Sequence, residues 1–499
     1  MRPTRIPCAI AAGFVAAVLL APPAGAQVPS HPHDLKYSTL TFDPPAAAKA
    51  RRVLKNKVVV YMVEDHELPL VSVSVLFRGG AYLEPAGKEG LAAAVGSQMR
   101  AGGAGAMTAE QFDEEADFLA AMLSASLGGA SGSASANFLA KDTDKALDML
   151  FAMLRQPSFQ QDRFDLYKRQ VLQNLARRND NTAGIESREW GRLTYGDDHF
   201  STRQTTKAAV EGMTRDDLLA FHKQHVHPAN FIVAVSGDFK ADEMAVKLEQ
   251  RMAGWTSPAG YTLPPVPKPT HVPAPGVYMV NKPDVNQGRV TMGHLGIQRG
   301  NPDEVAVDLM NDILGGSGFT SRITNRVRSD EGLAYSAGSG MAPGIYYPGA
   351  FRAGFQSKSA TVAQAVQIIL EEIDRIRTAK VSAEELDTVK NSAIEVFPRQ
   401  FSSAAAVAAL FASDELTGRD PKYWTAYRDR VRAVTADDVQ RVAQKYLQPD
   451  KLVILAVGNA DDMLKGNPDK PVYSFEKIRK GSPIVRIPLP DPNTMVYPK

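Results

Sequence analysis

Met213-Thr-Arg-Asp-Asp-Leu-Leu-Ala-Phe221 runs on through His225 and Pro228 into Phe231-Ile-Val-Ala-Val-Ser-Gly237. Further along, Val434-Thr-Ala-Asp-Asp-Val-Gln-Arg-Val442 runs through Tyr446 and Pro449 into Leu452-Val-Ile-Leu-Ala-Val-Gly458. Thr214 to Thr435 and Gly237 to Gly458 share one offset, 221 residues, so the two stretches align without a gap. Each reads as a helix with a threonine N-cap and acidic residues in its first turn, where the helix dipole favours them. Each then turns at a proline into an apolar strand closed by glycine. A repeat this long means a duplicated domain, because solenoid periods run only to about 50 residues.

The starts of the two copies agree as well. Val58-Val-Val-Tyr-Met-Val63 matches Val277-Tyr-Met-Val280, and both read as opening strands. Helical patterns follow at Asp144–Leu154, Asp162–Arg178, Ala360–Thr378 and Ala383–Val396. The expected fold is α+β, with helices packed on one face of a mainly antiparallel sheet, twice over. Pro258, Pro264, Pro265, Pro267, Pro269, Pro273 and Pro275 mark a linker at 256–276, since such runs stay extended and pair poorly. The halves are then 27–255 and 277–499.

Residues 1–26 read as a secretory signal. Arg2 and Arg5 are its basic end, Ala9–Leu20 its apolar stretch, and Ala24-Gly-Ala26 its cleavage site. The apolar stretch is shorter than the ~20 residues a membrane span needs. The only cysteine, Cys8, falls within this segment, so the mature chain makes no disulfide. A composition of 44% hydrophobic and 22% charged residues is that of a globular protein, and a net charge of +2 without basic runs argues against nucleic acid. The expected location is periplasmic or secreted, with no membrane span in the mature chain.

Three blocks carry a family resemblance. Pro69-Leu-Val-Ser-Val-Ser-Val-Leu-Phe-Arg-Gly-Gly80 alternates as a strand, and Glu84 and Gly90 precede Leu91-Ala-Ala-Ala-Val-Gly-Ser-Gln-Met-Arg100. In the second half, Asp312-Ile-Leu-Gly-Gly-Ser-Gly-Phe-Thr-Ser-Arg322 is followed by Arg326-Val-Arg-Ser-Asp-Glu-Gly-Leu-Ala-Tyr335. Together they resemble the pitrilysin/insulinase (inverzincin) metallopeptidases, whose H-x-x-E-H helix holds zinc and a general base. The resemblance aligns Ala93, Gly96 and Ser97 with H, E and H, and Asn174 with the third zinc ligand. All four are substituted, so it implies no catalytic residue and no metal in this chain.

The block in the second half, Asp312–Tyr335, is intact. The resemblance implies substrate binding by Arg328 and Tyr335, which in active relatives reach across to the zinc site of the other half. A guanidinium and a phenol can both donate to a carbonyl or a developing oxyanion. The alternative reading makes Arg328 an ion-pair partner of Asp330 or Glu331, and Tyr335 core. Taken together, the chain resembles the non-catalytic subunit of two-subunit family members, including the mitochondrial processing peptidase, which close like a clamshell over a peptide. The implied partners are a catalytic subunit with an intact zinc motif, carrying the zinc, and a peptide substrate. The extended glycine-rich loop of the mitochondrial subunit is reduced here to Gly315-Gly-Ser-Gly318, so that loop's role does not transfer. The reading from a different class is a stand-alone peptide- or protein-binding scaffold in the cell envelope.

Other candidates are weaker. His222, His225 and His227 form H-x-x-H-x-H, read as a surface cluster because the second copy has Ala443, Tyr446 and Gln448 there. His31 and His33 read as tail. Gln111–Asp117 reads as a solvated acidic face after a Thr108 cap. Ser124–Ala136, rich in Gly, Ser and Ala, resembles a small-residue strand of the family's first sheet, beside which a peptide could add if it borders the cavity.

Overall fold

Two six-stranded sheets, matching in the order of five of their strands, carry the fold. The first consists of β1 (Arg51–Val53), β2 (Val59–Glu64), β3 (Leu70–Arg78), β4 (Met122–Leu127), β5 (Ser131–Leu139) and β6 (Phe231–Gly237), in the order β1-β2-β6-β3-β5-β4. The second consists of β7 (Gly276–Asn281), β8 (Gln287–Leu295), β9 (Ala334–Gly340), β10 (Ala350–Lys358), β11 (Val453–Gly458) and β12 (Ile484–Ile487), in the order β12-β7-β11-β8-β10-β9. In both, the strand from the quoted repeat (β6 or β11) runs parallel to the opening strand and antiparallel to the next. This computed structural model describes Leu35 and residues 41–498. The described residues from Asp43 onward form one unit. The signal-sequence residues, His31 and His33 lie outside the described residues.

Local chemistry explains the elements. Thr214 and Thr435 cap their helices through reciprocal capping boxes with Asp217 and Asp438, and Thr108 does the same with Gln111. On β3, Val71, Val73, Val75 and Phe77 are buried on one face while Ser72 and Ser74 point to the other. The valine face packs on Leu147 and Leu150 of the Thr143–Arg155 helix and on Val95 and Met99 of the Leu91–Ala101 helix. The small-residue stretch 124–136 departs from expectation. It is a hairpin rather than one strand, the chain reversing at residues 128–130 between β4 and β5. Ala134 lies on β5, paired on both sides, so the free edge belongs to β4.

The expected α+β architecture of two homologous halves holds, with an addition. Each half lends one helix to the other's sheet. The Ala404–Thr417 helix covers the serine face of the first sheet and buries Val407, Ala408, Phe411 and Ala412. Its alanines permit a close approach, and Glu415 fixes it by accepting from Arg51 at 3.1 Å and Tyr61 at 2.7 Å. Reciprocally, the Thr182–Tyr195 helix buries Ile185 and Trp190 against Val453, Leu455 and Val457 of β11.

A half-buried acid sits beside the second core. Asp308, on the Glu304–Asn311 helix, has its carboxyl pushed up to about 7 by burial and by Glu304 and Asp312, against the pull of Arg419. A carboxyl raised on folding contributes stability that is fully present below its unfolded value and lost as pH rises through the folded one. The window here runs from about pH 4 to 7. The unfolding midpoint should therefore fall between pH 5 and pH 8.5, and Asp308→Asn should flatten that fall. Melting curves at the two pH values check it; a variant that loses as much as wild type contradicts the assignment.

Candidate functional site

The Leu91–Ala101 helix begins at Gly90, whose φ of +100° is a conformation glycine adopts without penalty. The buried Glu84 carboxylate accepts from the backbone N–H of Gly90 at 3.1 Å and of Ala92 at 2.8 Å, tying down the helix start. Burial raises the Glu84 pKa and these two bonds oppose the rise.

Gly96 faces β4 so closely that a Cβ there would lie 2.3 Å from the Leu127 nitrogen and 2.9 Å from Ser126 Cα. Both are backbone atoms, so nothing can swing aside. The position that carries the general base in an H-x-x-E-H helix is sterically closed. Ala93 is exposed and Ser97 half-buried on the same helix, while Asn174 is exposed on the Gln161–Ala176 helix. An alanine methyl, a hydroxyl and a neutral amide do not make a zinc ligand set. Among the described residues, no three or more His, Cys, Asp or Glu side chains are grouped to hold a metal. These residues do not fit zinc.

The histidine run is not the surface cluster expected. His222 and His227 are buried. His222 Nε2 lies 2.8 Å from the Leu154 carbonyl, and His227 packs edge-on to Tyr261 at 4.6 Å between centroids. Burial lowers the His222 and His225 pKa values to about 4, so both rings are neutral packing elements. The helix-to-strand corner tucks inward here, and Tyr261 of the linker covers it. The acidic run after Thr108 does lie on a largely exposed face, with Phe112 and Ala116 on its buried side.

The second-half block is built around Arg322, whose guanidinium makes two bonds to Glu385, at 2.6 and 2.9 Å. That pairing pulls the Glu385 pKa down to about 2. Thr324 Oγ1 donates to the Ala337 carbonyl at 2.8 Å, joining the turn to β9. On this frame, Arg328 lies in the Asn325–Asp330 π-helical turn, with Tyr335 near the start of β9. The Arg328 guanidinium is held between two rings, 4.4 Å from the centroid of Phe319 and 4.6 Å from that of Tyr335. Tyr335 is 84% exposed and Phe319 64%, so Tyr335 is not core. Glu331 accepts from Lys470 at 2.8 Å and from Gln364 at 2.8 Å. The structure thus brings Arg328 and Tyr335 together and adds Phe319, which sequence reasoning missed. An aromatic next to Gly318 in an otherwise polar loop was the available signal. The arrangement offers a pre-oriented cation whose planar fork of donors faces solvent.

A duplicated sheet-and-helix unit with a helix at the zinc position defines a peptidase-type fold. Residues 212–393, which span the join between the halves, match the family described as Peptidase M16 inactive domain. The pitrilysin/insulinase resemblance is therefore sustained. A crystal structure of a peptidase M16 inactive domain from Pseudomonas fluorescens superposes with a TM-score of 0.74 at 22% identity, covering 82% of this chain and 97% of that one. A relative named non-peptidase homolog YmxG, from Helicobacter pylori, is 24% identical over 354 residues, 69% of this chain and 79% of its own. An uncharacterized zinc protease of Rickettsia bellii is 23% identical over 344 residues, 65% of this chain and 80% of its own. This chain is similar to proteins carrying either description, so the residues at the site have to decide between them.

Proposed function

We propose that this chain is a pseudopeptidase, the non-catalytic and substrate-engaging partner of a zinc-bearing subunit that cleaves peptides or unfolded segments. One juxtaposition carries the reading: the general-base position is closed by Gly96 against β4, while the half-buried Arg328 is held between the exposed rings of Phe319 and Tyr335. A fold that merely lost its chemistry has no need to keep a solvent-facing arginine between two exposed rings, because exposed aromatic surface is unfavourable. The M16 inactive-domain match and the non-peptidase relative support the same reading. The partner supplies zinc, its ligands and the base. This chain supplies half of a clamshell wall, with Arg328 and Tyr335 donating to the substrate backbone. The signal-like N-terminus supports a periplasmic or extracellular location for the complex. Among the described residues, no helix is long and apolar enough to cross a membrane.

The test is hydrolysis of an unstructured reporter peptide by the chain alone and by the chain with its co-purified partner. Turnover by the pair only supports the reading. Turnover by the isolated chain with one equivalent of zinc overturns it.

A further inference from the structure

Five strands follow the same order in the two halves, β2-β6-β3-β5-β4 and β7-β11-β8-β10-β9, so their registers equate positions residue by residue. Ser72 lies between Ser236 and Asn137 in the first sheet, as Arg289 lies between Val457 and Gln356 in the second. By the same registers, Ser133 corresponds to Arg352 and Leu139 to Lys358. The first half builds this sheet with serine and leucine at these places. The fold therefore does not require cations there, and the second half has acquired three on one sheet face.

Only one of the three is neutralised. Arg289 Nε donates to Glu186 at 2.8 Å, and the other Glu186 oxygen accepts from Thr291 at 2.6 Å. Arg352 stands 5.2 Å from the Trp190 ring centroid and makes one long bond, 3.4 Å, to the Thr291 hydroxyl. Among the described residues, neither Arg352 nor Lys358 has a carboxylate partner, and both are exposed. They line a cavity of about 540 Å³ between the Thr182–Tyr195 helix and β8, β9 and β10, with Tyr335 also lining it. Gly354, between Arg352 and Gln356 on β10, also lines it and leaves room beside the two cations.

We infer that this cavity is a subsite for an extended peptide segment bearing acidic side chains, and that the chain prefers such substrates. The inference rests on the substrate-engaging reading above and names its substrate class. Arg352 and Lys358 are six residues apart on one strand, about 20 Å. An extended segment of about that length sets one carboxylate at each end while its backbone passes Tyr335. A free C-terminal carboxylate would satisfy one cation and leave the other unpaired, so side chains are the better match.

The test is fluorescence anisotropy of the full chain with labelled unstructured decapeptides carrying acidic residues six apart, against their Asn/Gln isosteres. At low salt the acidic peptide should bind about tenfold more tightly, and the gap should shrink as salt screens it. The double variant R352S/K358S, which restores serine at the position equivalent to Ser133, should erase the gap and leave the isostere's affinity unchanged. Amidating the peptide C-terminus should change nothing. Equal affinity for both peptides, binding of neither, or a preference lost on amidation overturns the inference. Peptide binding without acidic preference removes this subsite and leaves the pseudopeptidase reading standing. A chain without a zinc-bearing partner that still prefers acidic peptides does the reverse.

Discussion

Gly96→Ala should destabilise the protein by about 2 kcal/mol, seen as an earlier urea midpoint. Elsewhere in a helix interior the same exchange is favourable by up to about 1 kcal/mol. Here the added methyl lands 2.3 Å from the Leu127 nitrogen, and overpacking against immovable atoms costs about 3 kcal/mol. The clash outweighs the propensity gain. Gly191→Ala is the internal control. It also lies inside a helix, but its Cβ would meet Thr202 Cγ2 at 3.6 Å, an ordinary contact, so that variant should be neutral or slightly stabilised. Adding Gly96→Glu to a chain carrying A93H, S97H and N174E should lower stability further and give no turnover, because β4 fills the place of the base. A Gly96→Ala protein as stable as wild type would mean that the helix-to-β4 approach is looser than described and that the base position is not sterically closed.

Arg328→Ala should lower turnover by the reconstituted complex by about 10- to 100-fold, the order expected for losing one preorganised donor to a developing oxyanion. Unfolding and assembly should not change, since Arg328 touches Phe319 and Tyr335, both exposed. Arg328→Lys should recover little, because an ammonium has neither the planar fork nor the stacking surface that the two rings hold. Turnover unchanged in Arg328→Ala would favour the stand-alone scaffold.

Much of this fold was legible because its signals are local. The Thr214 and Thr435 caps, the buried repeat strands and the helix at Ala383–Val396 follow from periodicity and capping alone. The substitution at four zinc positions was implied by the family resemblance. What Gly96 does was not. A glycine in a helix reads as a missing base, and only the three-dimensional approach of β4 makes it a requirement. The helix exchange between halves was equally hidden, because the alanine run of Ala404–Thr417 packs on a sheet more than 160 residues away in sequence. The histidine run failed for a related reason: the linker residue Tyr261 that covers it is distant in the chain from His222. Arg352 and Lys358 look like ordinary surface charges until the registers of the two sheets are compared.

The measurement that tests the central claim most directly is a pull-down of the tagged full chain from its native cells, with co-purifying proteins identified and quantified by mass spectrometry. The account predicts a stoichiometric partner of similar size bearing an intact H-x-x-E-H helix, with the zinc of the complex following that partner. Recovery of the chain alone, or with unrelated envelope proteins, would contradict it.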